Sequence, residues 1–168
     1  MQENKSTKKI VFVDTSASLC NQQTWNAVKE LLKATLRTSQ NLDVYVCTFA
    51  DEVKLLNKKE LQRLISASSL QQVQLSLTMG TGTSIQHVEN FFPSAFLCGA
   101  KVEIISDMLF GTEDAEEQLT NYFNSAGATV VLLKVDDEII QTIGKAKRNT
   151  FEKPLDFKPT MKAKSQGK

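Results

Sequence analysis

The chain is short of most residues that announce a chemistry on their own. Its 168 residues hold three cysteines, one histidine and three prolines. Cys20, Cys47 and Cys98 are odd in number and form no CxxC pair, which excludes a disulfide framework and a zinc knuckle and fits free thiols in a reducing compartment. His87 has no convincing partner for acid–base work, and its place in the helix that follows a glycine-broken loop gives it a surface role. No Walker-type GxxxxGK[ST] loop is present, so a phosphate-cradling ATPase is excluded. The longest apolar runs span only a few residues, with neither a transmembrane helix nor a secretory leader to read, so a soluble cytoplasmic protein is expected. The formal net charge is only +1. It hides an asymmetry: residues 145–168 carry eight Lys or Arg against Glu152 and Asp156, leaving an acidic body with a basic tail. Such a body is a poor match for nucleic acid, and the tail lacks the interleaved aromatics of a nucleic-acid arm.

What the chain does have is 41% apolar and 23% charged residues in a length suited to one core. Residues 1–7 read as a polar, disordered lead-in. Ile10 to Val13 is an uninterrupted apolar strand, the pattern of a strand covered on both faces. From Gln22 to Arg37, Trp25, Val28, Leu31, Leu32 and Leu36 recur at helical spacing, so they form a core-facing stripe with Asn21 placed as a cap. Val44 to Phe49 is a second strand, and Val53 to Leu56 follows the Ala50-Asp51-Glu52 turn as a short antiparallel edge. Asn57 and Glu60 have capping-box spacing ahead of Leu61, Leu64 and Ile65. Val73, Leu75 and Leu77 alternate as a half-buried strand or an extended segment.

Further strands are expected at 101–106 and 128–135, the second being the most apolar in the chain, with helices from Ile85, from Thr112 to Ser125 and from Asp137 to Lys147. Strands alternating with helices predict an α/β domain: a doubly wound, mainly parallel central sheet flanked by helices, with one short antiparallel edge strand. The expected organisation is a domain over 8–147 and a basic, flexible tail over 148–168, where Pro154 and Pro159 fall.

In such sheets ligands collect beyond the carboxyl ends of the strands, and that is where the polar clusters lie. Asp14, Ser16 and Ser18 follow the first strand, Asp107 follows the strand at 101–106, and Thr83 stands in the loop MGTGTSIQHV before a helix. If their oxygens converge they form a hard donor set without imidazole or thiolate, suited to magnesium, with manganese or calcium as substitutes. Two carboxylates at one sheet edge repel unless something positive sits between them. With only two formal charges on its ligands, the ion would stay electrophilic and attract a further carboxylate. Taken singly, Ser16, Ser18 and Thr83 are equally good helix caps.

DTSAS at 14–18 resembles the DxSxS motif of von Willebrand factor A domains, GTGT at 80–83 their threonine loop, and ISD at 105–107 their strand-terminal aspartate. The resemblance covers residues 8 to about 145. It implies the Rossmann-like fold of that family and its metal-ion-dependent adhesion site, with Asp14, Ser16, Ser18, Thr83 and Asp107 around magnesium and a partner's acidic side chain completing the shell. It also implies an intracellular interaction module, not an enzyme, serving as an assembly or regulatory subunit, in several relatives alongside an AAA-type ATPase. Two departures stand out. Ala17 takes a place where glycine is frequent, and Met108, Leu109 and Phe110 follow Asp107 where many members have glycine at once. These three either place apolar surface near the metal, helping a partner bind, or fold back to pack, and packing is expected because most large apolar residues are buried. The alternatives are a phosphohydrolase or phosphotransferase using Asp14, whose DTSAS lacks the DxD spacing of aspartate phosphatases, and a metal-free structural subunit.

Overall fold

The computed structural model describes residues 7–15, 22–50, 52–67, 85–108 and 114–150, with side chains described up to Lys145. Its strands are β1 (Lys8–Asp14), β2 (Asp43–Phe49), β3 (Val53–Leu55), β4 (Lys101–Ser106) and β5 (Thr129–Lys134). Its helices are α1 (Gln22–Arg37), α2 (Lys58–Ser66), α3 (Ile85–Asn90), α4 (Ser94–Leu97), α5 (Ala115–Ser125) and α6 (Asp137–Thr150). The sheet runs in the order β3-β2-β1-β4-β5. Among the described residues only the β2–β3 pairing is antiparallel, so the expected doubly wound α/β architecture and its short antiparallel edge are both present.

β1 is apolar from Ile10 to Val13 because it is the central strand, and all four residues are fully buried. Alternation sends Val11 and Val13 to one face, where α1 packs Trp25, Val28 and Leu32, α2 packs Leu64, and α6 packs Ile143. Ile10 and Phe12 point to the other, against Val88 of α3, Leu97 of α4 and Leu119 and Phe123 of α5. Phe12 anchors that second layer, with its ring 6.0 to 6.3 Å from those of Phe123, Phe92 and Phe49. Burying each such side chain contributes about 1.5–3 kcal/mol. Trp25 belongs to the core as expected, and its indole N–H donates to the Ala67 carbonyl at 3.3 Å, fastening α1 to the end of α2.

The capping box is formed in both directions: Asn57 Oδ1 accepts from the Glu60 N–H at 2.8 Å, and Glu60 Oε1 accepts from the Asn57 N–H at 2.9 Å. The helix before Pro93 ends at Asn90, and Pro93 begins the one-turn α4, as a residue unable to continue a helix would. α6 extends to Thr150, three residues beyond the expected end at Lys147. β5, the most apolar stretch, lies at the outside of the sheet with Val131 51% exposed. The segments around Val73 to Leu77 and 151–168 lie outside the described residues.

Candidate functional site at the switch point

The chain leaves β1 for β2 on one side and returns to β4 on the other, so the winding reverses between β1 and β4. In a doubly wound sheet a crevice opens there at the carboxyl ends of the strands. Asp14 is the last residue of β1, and Asp107 directly follows the last residue of β4. Val13 pairs with Ile105, which sets Asp14 level with Ser106 and Asp107 one step beyond, on strands spaced about 4.8 Å apart. Two of the five expected ligands are thus brought to one end of the sheet. Ser16, Ser18 and Thr83 lie outside the described residues.

Asp14 is fully buried. A carboxylate in such a place needs hydrogen bonds or a counter-charge, and Ser106 Oγ donates to Asp14 Oδ2 at 2.6 Å, the short length of a charge-assisted bond. Ser106 is itself fully buried, and its Oγ also accepts from the Met108 N–H at 2.9 Å. The Ser106 carbonyl in turn accepts from the Val135 N–H at 2.8 Å. The residue is therefore tied to the ends of both neighbouring strands.

Met108 has φ of 65°, a left-handed conformation found at no other described non-glycine residue. For an L-residue with a side chain this costs roughly 1–2 kcal/mol. The turn after Asp107 thus keeps a glycine-like backbone without the glycine, and the Met108 side chain is only 7% exposed. That bears out the packing role expected for Met108; Leu109 and Phe110 lie outside the described residues. Thr15, also fully buried, closes the other side: its N–H donates to the Phe49 carbonyl at 2.8 Å and its Oγ1 to the same oxygen at 3.2 Å. The ends of β2, β1, β4 and β5 are locked together beside the two aspartates.

Ser106 and Thr15 are the site residues the sequence did not single out. The signal was present, since each is a hydroxyl directly adjoining a candidate ligand, but a serine closing an apolar strand reads equally as an ordinary strand end. Among the described residues no group of three or more His, Cys, Asp or Glu could hold a metal ion. His87 is exposed, Cys47 buried and Cys98 exposed; Cys20 lies outside the described residues. Among those residues no helix is long and apolar enough to cross a membrane.

No protein-family model matches the sequence, and no curated protein matches it. Solved structures do share the architecture. An aerotolerance-related membrane protein from Bacteroides fragilis superposes with a TM-score of 0.56 at 19% identity, over 77% of this chain and 68% of that one. The conserved hypothetical protein BatB from Bacteroides thetaiotaomicron gives 0.52 at 15% identity, over 85% and 87%. Manganese-loaded TRAP from Plasmodium vivax gives 0.51 at 12% identity, over 83% and 63%. At these identities the likeness is one of fold.

Proposed function

We propose that this chain, whose fold is that of a von Willebrand factor A domain, works as a magnesium-dependent protein-docking module. A cation held by Asp14, Ser16, Ser18, Thr83 and Asp107 would accept a carboxylate from a partner protein. The observation that carries the reading is the buried Asp14 carboxylate at the switch point, with Asp107 on the adjoining strand end. Two negative groups at adjoining strand ends are disfavoured alone and favoured around a cation. Their hard oxygens fit magnesium, with manganese or calcium as substitutes. The manganese-loaded TRAP of Plasmodium vivax, similar in fold, is consistent with a divalent ion in such an arrangement.

The ion supplies Lewis acidity toward an incoming oxygen. The chain's own residues orient the carboxylates and keep one side of the site packed, Thr15 and Ser106 holding the strand ends in place. The function is docking, not catalysis, and the domain would act in the cytoplasm as an assembly or regulatory subunit, with an AAA-type ATPase complex as a candidate partner.

The test is a melt with magnesium and with EDTA for the wild type and Asp14→Ala, together with a native-lysate pull-down in the same two buffers. Magnesium should raise the wild-type Tm and be required for capture, and both effects should vanish in the variant. Identical wild-type melts and captures in the two buffers would sink the proposal. Turnover of a phosphate ester abolished by Asp14→Asn would instead establish the phosphohydrolase reading.

A further inference from the structure

The hydroxyl of Ser106 joins two features of the site that have no covalent reason to be coupled. It donates its one proton to Asp14 Oδ2 at 2.6 Å and accepts from the Met108 N–H at 2.9 Å. A hydroxyl polarised by a carboxylate becomes a better acceptor, so the two bonds strengthen each other in a buried setting. The Met108 N–H it receives belongs to the residue at φ of 65°, immediately after Asp107. Backbone held in that region persists where the surroundings over-determine it, and the Ser106 bond is one such restraint. Asp14 and the turn that follows Asp107 are therefore joined through one atom.

We propose that Ser106 is a positioning residue for the cation: its hydroxyl couples the orientation of the Asp14 carboxylate to the left-handed turn that presents Asp107, so the two aspartates are set as a unit. The inference rests on the docking reading above and deepens it, because it assigns the coupling to a residue outside the ligand set. Groups one bond away from a metal ligand orient it, and their loss typically weakens binding about 10- to 100-fold. Removing the Ser106 hydroxyl takes one hydrogen bond from the Asp14 carboxylate and leaves the buried Met108 N–H without its acceptor, so the link between the two aspartates is lost.

The experiment is titration of the purified full chain with manganese chloride, followed by calorimetry and by the electron paramagnetic resonance of the unbound ion, for wild type, Ser106→Ala and Ser106→Thr. Each is also melted in EDTA. Ser106→Ala loses two buried hydrogen bonds and should melt lower in EDTA, but its folded fraction should also bind manganese about 10- to 100-fold more weakly, and Ser106→Thr, which keeps the hydroxyl, should recover most of the affinity. A purely structural serine would lower the EDTA melt and leave the affinity of the folded fraction untouched, which overturns the inference. Wild-type affinity in Ser106→Ala overturns it while leaving the docking reading intact, whereas a wild type with no saturable manganese binding overturns both. Amide exchange of Met108 in the unmodified protein provides a measurement independent of any variant's folding. Magnesium should slow that exchange, and an unchanged rate would count against the coupling.

Discussion

Lys9 Nζ lies 2.8 Å from Glu103 Oε2, with only 8% and 16% of the two side chains exposed, on the face of the sheet that α1 covers. The same ammonium donates to Ser39 Oγ at 2.9 Å and Thr35 Oγ1 at 3.5 Å, and Thr35 Oγ1 donates to Glu103 Oε1. These residues tie the amino-terminal parts of β1 and β4 to the end of α1, the opposite end of the sheet from Asp14. A satisfied buried pair is weak evidence of net stabilisation, but removing one partner strands the other. Glu103→Ala should therefore cost about 3–5 kcal/mol, read as a lower urea midpoint, whereas Lys9→Met with Glu103→Leu together should be far milder. Equal losses in the single and double variants would refute this.

Cys47 gives a pH dependence with a definite sign. Burial pushes its thiol from the ordinary 9.0 up to about 12, so the folded state holds the proton more tightly than the unfolded state does. The resulting stabilisation is complete below pH 9 and is lost as pH rises from about 9 towards 12, at up to about 1.4 kcal/mol per pH unit. Cys47→Ala should flatten the alkaline fall in stability measured by urea unfolding. The exposed Cys98 should react with a thiol reagent in the native protein while Cys47 reacts only on unfolding. Rapid native labelling of Cys47 would contradict the burial argument.

The α2 cap is exposed and separable from the core. Lys54 Nζ lies 2.7 Å from Glu60 Oε2. The hydrogen bonds from Lys54 and from the Asn57 backbone hold the Glu60 carboxyl below its ordinary value, so what they contribute is present above the usual carboxylate range and fades as pH falls through it. Asn57→Ala should cost about 1 kcal/mol, checked by the thermal midpoint at neutral pH, where no change would mean that water replaces the cap.

Local pattern and fold agree wherever the pattern is produced by burial at one place in the chain. Ile10 to Val13 is apolar because β1 is covered on both faces, and Asn57 and Glu60 cap a helix only three residues apart. Patterns that depend on distant neighbours were not legible. β5 is the most apolar strand, yet it is an outer one, because apolar composition says a segment can be buried and the order of winding decides where it lies. The Lys9–Glu103 pair carries no signal in either segment alone. At the site, Asp14 and Asp107 were legible as polar residues at strand ends, whereas Ser106 was not, because its meaning lies in the Met108 N–H and Asp14 carboxylate it joins. The left-handed Met108 was hidden for a related reason: glycine announces such a turn, and a methionine does so only once its backbone is seen.

Asp14→Asn separates the demands of folding from those of the proposed function. The side chain is fully buried, and an amide of the same shape can still accept from Ser106 while removing one negative charge near Asp107. In EDTA the variant should therefore be at least as stable as the wild type, since desolvation and like-charge repulsion both penalise the carboxylate. In magnesium the order should reverse, because the variant has lost an anionic ligand and the wild type gains the linkage stabilisation of a bound ion, about 2.7 kcal/mol at a hundredfold excess over Kd. For a chain of this size that corresponds to a rise in Tm of about 5–11 °C for the wild type alone. Paired melts in the two buffers test both signs. A variant that is less stable than the wild type in EDTA would show that the carboxylate is retained for folding, not for holding an ion.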